Sequence, residues 1–208
     1  MNPSDLSARL GVDVSRETWA LLDRFVCLVS KWNSTINLLA PNELSRVWER
    51  HVLDSAQCAL IPSRSRGPWL DIGSGGGFPG LVVGIMRRGF GERLLLVERD
   101  RRKAAFLHFA SRDLGLEIQV VEGDAGRIAP VEAEVVSARA VAGLGKLLPL
   151  IARHLAPDGF ALLPKGEQFK KEIDEARSVC RFEFEAIPSV TCSGAAILKV
   201  WGVEHVNR

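Results

Sequence analysis

Tyrosine is absent from this chain of 208 residues, and cysteine occurs only four times. The cysteines form no Cys-x-x-Cys pair and are not grouped with histidines in the spacing of zinc ligands. We therefore expect reduced thiols that contribute to packing, and we expect no metal site. The four residues are Cys27, Cys58, Cys180 and Cys192.

Long apolar runs are also lacking, because none approaches the 18 residues of a membrane-spanning helix. The first residues, Met1 to Asp5, lack the basic and apolar regions of a secretory signal. We therefore expect a cytoplasmic, monomeric protein without a membrane partner. The net charge of +2 indicates no partner by itself.

One segment, Pro68 to Gly80, carries the strongest functional pattern. It reads Pro-Trp-Leu-Asp-Ile-Gly-Ser-Gly-Gly-Gly-Phe-Pro-Gly, and an apolar helix pattern follows it. A strand that passes through a glycine turn into a helix brings backbone N–H groups close to a ligand. Glycine suits this turn because a Cβ atom would block the approach or forbid a positive φ.

Two cofactors fit this turn. Asp71, two residues before Gly73, favours a cationic ligand such as S-adenosylmethionine, which carries an ammonium and a sulfonium. However, Gly75 to Gly80 also satisfies the dinucleotide pattern G-x-G-x-x-G, and the acid Glu98 follows about 20 residues later. NAD therefore stays open as the alternative on these residues alone.

The alternation of strand and helix patterns predicts an α/β fold with a seven-stranded, mostly parallel, doubly wound sheet. Residues 1–65 form a predicted helical extension, and residues 66–208 form the cofactor-binding domain. The extension should hold two amphipathic helices, one capped by Ser15 and one opened by Pro41, and 61–68 is the predicted linker. The predicted strands span 68–73, 93–98, 117–121, 134–138, 159–163, 182–188 and 195–203, with a terminal hairpin that carries an antiparallel edge strand.

Polar residues follow three of these strands, at the edge where such sheets bind ligands. Glu98 ends the second strand and could accept both ribose hydroxyls of an adenosyl group. Asp124 ends the third and could accept the adenine amino group, while the next backbone N–H meets a ring nitrogen. Arg139 ends the fourth, where substrate and methyl group should meet.

The sequence resembles the ribosomal RNA small-subunit methyltransferase G family. The resemblance runs from about Lys31 to Gly166 and rests on several motifs that share the family's order. These are Lys31-Trp32-Asn33 with Asn37-Leu38, His51 with Leu53-Asp54-Ser55, the turn from Leu70 to Gly80, Ser137-Ala138-Arg139-Ala140 and Lys165-Gly166.

The resemblance implies an S-adenosylmethionine-dependent enzyme of the class I methyltransferase fold that makes 7-methylguanosine in 16S ribosomal RNA. It implies small-subunit RNA or an assembling small subunit as the partner, and cofactor contacts at Gly73, Phe78, Ala125, Gly126 and Arg139. The complete predicted cofactor set is Asp71, Gly73, Ser74, Gly75, Phe78, Glu98, Asp124, Ala125, Gly126 and Arg139. The alternatives are methylation of another RNA, a protein or a small molecule, and a ribosome-assembly factor without catalysis.

The chemistry of the strand ends is compatible with guanine N7 as the acceptor. The Asp/Asn-Pro-Pro-aromatic element typical of amino-group methylation is absent, and no cysteine follows a proline as a nucleophile for cytosine C5 would. Guanine N7 attacks through a lone pair and loses no proton, so alignment is needed and a general base is not. The catalytic residues therefore stay unknown, with Arg139 and His51 as candidates for positioning.

Basic residues near the ligand edge are the candidates for RNA contact. Arg101 and Arg102 follow the second strand, and Lys165 follows the fifth. We predict that these three residues bind the substrate. His51 follows Leu44 and Val47 on an apolar stripe, which is equally typical of a core histidine.

Overall fold

The structure, a computed structural model, describes residues 1–62, 67–91 and 93–206. Within these residues, seven strands form a single sheet: β1 (Trp69–Ile72), β2 (Leu94–Glu98), β3 (Ile118–Glu122), β4 (Ala133–Ala138), β5 (Leu155–Lys165), β6 (Cys180–Pro188) and β7 (Ala196–His205). Their order is β3-β2-β1-β4-β5-β7-β6, with β7 antiparallel to both of its neighbours. The predicted fold class is confirmed.

Helices cover both faces of this sheet, as the alternating pattern predicts. They are α1 (Pro3–Leu10), α2 (Arg16–Asn33), α3 (Pro41–Leu44), α4 (Leu53–Leu60), α5 (Gly80–Met86), α6 (Arg101–Asp113), α7 (Leu144–His154) and α8 (Phe169–Ala176). Ser15 accepts a hydrogen bond from the Thr18 N–H, so it caps α2 as expected. The first helix, α1, was not predicted from the sequence.

The predicted terminal hairpin with an antiparallel edge strand is present, formed by β6 and β7. Strand β7 lies inside the sheet and pairs with both β5 and β6. Strand β6 is therefore the edge. Its exposed and half-buried residues alternate, as suits a strand with one face on the core.

The second predicted N-terminal helix is interrupted. Helix α3 ends at Leu44, and a π-helical turn at Trp48–Val52 precedes α4. Such turns add a residue to the α-helical repeat, so a 3.6-residue periodicity does not reveal them, and they are frequent at functional sites. The turn contains His51, whose side chain is buried beside the cavity described below.

The N-terminal helices share one hydrophobic core with the sheet. Phe25 and Leu22 of α2 belong to the same buried cluster as Trp69 of β1 and Leu81 of α5. The boundary predicted near residue 65 stays a prediction, because residues 63–66 of the predicted linker lie outside the described residues. In the part of the chain that the structure describes, no helix is both long and apolar enough to cross a membrane.

Candidate active site

A cavity of about 1300 Å³ opens at the carboxyl ends of the parallel strands. Its walls come from the glycine turn after β1, the ends of β2 to β5, the segment from α3 to α4, and the loop between β6 and β7. Ten predicted site residues line it: His51, Gly73, Ser74, Gly75, Phe78, Glu98, Asp124, Ala125, Arg139 and Lys165. The other four, Asp71, Arg101, Arg102 and Gly126, lie outside this lining.

The glycine turn has the strained backbone that the sequence predicts. Gly73 has a φ of +65°, and a Cβ atom there would lie 2.7 Å from a methyl group of Val141. The N–H groups of Gly73 and Ser74 both donate to the carbonyl of Val97, at 2.8 and 3.2 Å. The turn is therefore fixed against β2, and both its positive φ and the nearby Val141 side chain favour glycine at position 73.

Asp71 lies outside the lining of the cavity, and its predicted place in the cofactor set stays a prediction. It is fully buried behind the glycine turn. Its Oδ1 accepts a hydrogen bond from the Ser137 hydroxyl at 2.7 Å, and its Oδ2 accepts one from the Gly80 N–H at 3.2 Å. Asp71 therefore ties β4 and the start of α5 to the turn, and it acts on the cavity through the backbone.

Burial raises the pKa of Asp71 to about 6, although the hydrogen bonds from Ser137 and Gly80 oppose this shift. The folded state therefore binds the proton more tightly than the unfolded state does. The stability that this group contributes is complete below the unfolded pKa and is lost as the pH rises through about 6.

We expect Asp71→Asn to reveal this linkage, because asparagine does not titrate. The free energy of unfolding of the wild-type protein, minus that of the variant, should fall by about 1 kcal/mol between roughly pH 5 and 7.5. Urea denaturation at both pH values measures this difference in the free energy of unfolding. The altered hydrogen bonding of asparagine adds the same amount at each pH and therefore does not affect the change with pH. A difference that is constant or grows with pH would contradict the assignment.

Glu98 is buried at the end of β2 and joins two backbone segments. Its Oε2 accepts from the Gly75 N–H and its Oε1 from the Asp100 N–H, both at 2.8 Å. Each carboxylate oxygen has a further lone pair. The geometry thus orients Glu98 in the cavity wall and leaves acceptor capacity on both oxygens.

The loop after β3 places Asp124 and Ala125 in the cavity wall. The Gly126 N–H turns back to the Asp124 carboxylate at 2.8 Å, which is why Gly126 lies outside the lining. The carbonyl of Ala125 lies 2.8 Å from Nε2 of the buried His154. Because a carbonyl only accepts, this ring nitrogen carries the proton, and His154 holds the loop from behind. No sequence motif indicated His154.

Arg139 projects from the end of β4 over the ring of Phe78, with 5.3 Å between the guanidinium carbon and the ring centroid. Its Nη1 donates to the carbonyl of Arg50 at 3.3 Å. Burial lowers the pKa of Arg139, while the nearby charges of Asp54 and Asp71 raise it. Arg139 therefore connects the cofactor turn with the N-terminal wall, and it stays charged at neutral pH.

His51 also lies against Phe78, with 5.2 Å between the ring centroids. Its Nε2 is 2.9 Å from Oε2 of Glu43. Burial is the main cause that lowers the pKa of His51 to about 4, with the charge of Arg139 acting in the same direction. The imidazole is therefore neutral at pH 7 and donates its one N–H to Glu43. Its buried Nδ1 has no hydrogen-bond partner among the described residues.

The predicted substrate residues are only partly placed at the cavity. Lys165 lines it, but its ammonium is paired with Glu172 at 2.7 Å. Arg101 and Arg102 are exposed at the first turn of α6, outside the lining. Arg99 and Lys103, which belong to the same basic run as Arg101 and Arg102, do line the cavity. Two further basic residues of the lining, Arg46 and Arg50, were not singled out from the sequence.

The loop between β6 and β7 is fastened to α4. Asp54 Oδ1 accepts from the hydroxyl groups of Ser189 and Thr191, each at 2.8 Å. Gln57 Nε2 donates to the carbonyl of Pro188, and Gln57 Oε1 accepts from the Val190 N–H. We call these contacts the α4 clasp. The clasp explains the Asp in the His-x-x-Asp-Ser motif, since it completes the wall that faces the glycine turn.

The described residues contain no group of His, Cys, Asp and Glu side chains arranged to hold a metal ion.

The chain matches the family model described as "rRNA small subunit methyltransferase G" over residues 18–200. Relatives carry the name "Ribosomal RNA small subunit methyltransferase G". One, from Cereibacter sphaeroides, is 46% identical over 197 residues, which cover 94% of this chain and 96% of the relative. Another, from a Ruegeria species, is 44% identical and covers 98% and 100%.

Solved structures show the same fold at lower identity. A mutant of MtNAS in complex with S-adenosylmethionine has a TM-score of 0.58 and 15% identity, over 87% of this chain and 74% of that one. At this identity, the likeness shows the fold and nothing finer.

Proposed function

The chain belongs to the rRNA small subunit methyltransferase G family, and we propose that it transfers a methyl group from S-adenosylmethionine to N7 of a guanine in 16S ribosomal RNA. The observation that supports this most is that one cavity joins a glycine turn to a wall rich in arginine. The turn suits a nucleoside cofactor, and the arginines suit an RNA substrate.

The residues of the glycine-turn half fit the cofactor. Gly73 lines the cavity and has a φ of +65°, a backbone conformation that exposes the turn to a ligand and that glycine adopts readily. Glu98 has lone pairs for the two ribose hydroxyls. Ala125 is held by His154 through its carbonyl, and its N–H, which has no acceptor within the described residues, is available to an adenine ring nitrogen.

S-adenosylmethionine, when bound, supplies a methyl group on a positively charged sulfur. The side chains of this protein then have to align the acceptor, because N7 loses no proton when it is methylated. His51 is suited to positioning, since its N–H is engaged by Glu43 and it stays neutral at pH 7. Arg139 holds Phe78 and the N-terminal wall in one arrangement.

Small-subunit RNA, free or in an assembling particle, is the proposed partner. The exposed Arg46 and Arg50 on the cavity wall are the proposed phosphate contacts, together with Arg99 and Lys103, which also line the cavity. Arg101 and Arg102 extend this basic surface along α6. We propose that the protein acts in the cytoplasm as a monomer.

Transfer of a labelled methyl group tests the proposal. The protein is incubated with unmodified small-subunit RNA or particles and methyl-labelled S-adenosylmethionine, and the RNA is digested to nucleosides. We expect label in 7-methylguanosine. In a parallel thermal-unfolding assay, S-adenosylhomocysteine should raise the melting temperature and NAD should not, because only a bound ligand stabilises by mass action.

Other outcomes identify the alternatives. Stabilisation by S-adenosylhomocysteine without transfer to RNA would indicate an assembly factor that has kept the cofactor site. Label in a different nucleoside would exclude N7 of guanine. Stabilisation by NAD alone would overturn the methyltransferase assignment.

A further inference from the structure

Glu43 places a carboxylate on the arginine-rich wall of the cavity, where a negative charge needs an explanation. The side chain belongs to α3 and is about one-quarter exposed (27%). RNA phosphates would be repelled by it. Because an ionised carboxylate only accepts hydrogen bonds, a ligand group that binds Glu43 directly has to supply donors.

The orientation of this carboxylate is fixed by its neighbours. His51 donates to Oε2 at 2.9 Å, and the Arg50 guanidinium approaches the same oxygen at 3.9 Å. Oε1 accepts no hydrogen bond from the residues that the structure describes. One oxygen is thus engaged by the protein, while the other keeps all of its acceptor capacity.

His51 also connects Glu43 to the cofactor turn. The imidazole is buried against Phe78, which follows the glycines of that turn. The π-helical turn at Trp48–Val52 determines where the imidazole lies along this wall. Phe78, His51 and Glu43 therefore form a row of contacts. The row runs from the glycine turn, where we propose that the methyl donor binds, to the arginine-rich wall, where we propose that the RNA binds.

We infer that Glu43 is the residue that recognises the acceptor base, by accepting hydrogen bonds from N1–H and the exocyclic amino group of guanine. This inference rests on the proposed function. N1 and the amino group lie on the edge of guanine remote from N7, so a base held there leaves N7 free for the methyl group. Adenine presents a lone pair at N1, which the carboxylate repels. His51 is a positioning residue for Glu43.

Inosine provides the test, because it lacks the exocyclic amino group and keeps N7. Small-subunit RNA is prepared with guanosine or inosine at the nucleotide mapped by the labelling experiment. Single-turnover methylation is measured for the wild-type protein and for Glu43→Gln. We expect the guanosine-to-inosine rate ratio to be about 10- to 100-fold larger for the wild type, as loss of a hydrogen bond to a charged group predicts. The intrinsic reactivities of the two bases cancel in this comparison.

Glu49→Gln is the matched control, because Glu49 is exposed in the neighbouring π-helical turn and its replacement removes the same charge. Its ratio should equal that of the wild type. His51→Phe keeps a ring against Phe78 but loses the N–H, so its ratio should fall part of the way toward that of Glu43→Gln.

Equal ratios in the wild type and Glu43→Gln would overturn the inference and leave the proposed function intact. Failure of the wild type to methylate any guanine would instead overturn the proposed function. Should Glu43→Gln not fold, Glu43→Asp gives the same comparison. The aspartate side chain is shorter, so its carboxylate lies farther from the proposed position of the base. A guanosine-to-inosine ratio equal to that of the wild type would again overturn the inference.

Discussion

Replacement of Gly73 by alanine is expected to weaken the binding of S-adenosylhomocysteine by roughly 100-fold, or about 2.7 kcal/mol. The added Cβ atom would lie 2.7 Å from Val141, so the turn or the Val141 side chain has to move. Both line the proposed cofactor half of the cavity. Isothermal titration of the purified variant measures the loss.

Gly115→Ala separates this effect from general backbone strain. Gly115 has a similar φ of +61°, and its surroundings are open, with nothing within 4 Å of the added atom. Both variants should lose about 1–2 kcal/mol of stability, the usual cost of a left-handed alanine, and Gly73→Ala should lose more because Val141 has to move. Only Gly73→Ala should lose affinity. Equal affinities of the two variants would show that the ligand does not approach the turn.

Arg139→Ala is expected to lower the single-turnover rate of methyl transfer about 100-fold, as the loss of one charge-assisted contact predicts. The guanidinium holds Phe78 and the carbonyl of Arg50 together, so its removal loosens the alignment of donor and acceptor. Arg139→Lys should recover part of the rate, because an ammonium lacks the planar fork. Arg24→Ala, which removes the same charge from a surface ion pair with Asp113, should leave the rate unchanged.

The pH dependence distinguishes alignment from proton transfer. We expect a rate that is nearly flat from about pH 6.5 to 8.5, and a similar loss in Arg139→Ala at every pH, because N7 releases no proton. Since burial lowers the pKa of His51 to about 4, its protonation lies below this range. A steep profile that disappears in a His51 variant would identify a general base and contradict N7 as the acceptor.

The residues at the strand ends were predictable because a parallel sheet brings them to one edge. The glycine turn, Glu98, Asp124 and Arg139 occupy the positions that the alternating pattern gives them. Local sequence was sufficient here, since each residue directly follows an apolar strand. Their contacts with a cofactor stay predictions.

Features that depend on tertiary contacts were not predictable. The orientation of Asp71 follows from Ser137, which belongs to another strand 66 residues away. His154 and the α4 clasp likewise depend on partners remote in sequence. The role of Glu43 depends on a π-helical turn, which leaves no mark in a 3.6-residue pattern. The half-buried ion pair of Lys165 with Glu172 was not predicted either, and the substrate contact of Lys165 stays a prediction.

The place of β7 in the sheet determines the order in which the site can be assembled during translation. Strand β6 is synthesised before β7 but has no neighbour in the sheet until β7 has left the ribosome and lies beside β5. Asp54 is synthesised 135 residues before Ser189, so the hydrogen bond between them also forms only late in translation. Domains fold from the N-terminal side as they emerge. We therefore expect a nascent chain to form its glycine turn first and to complete the α4 clasp only after β7 is released.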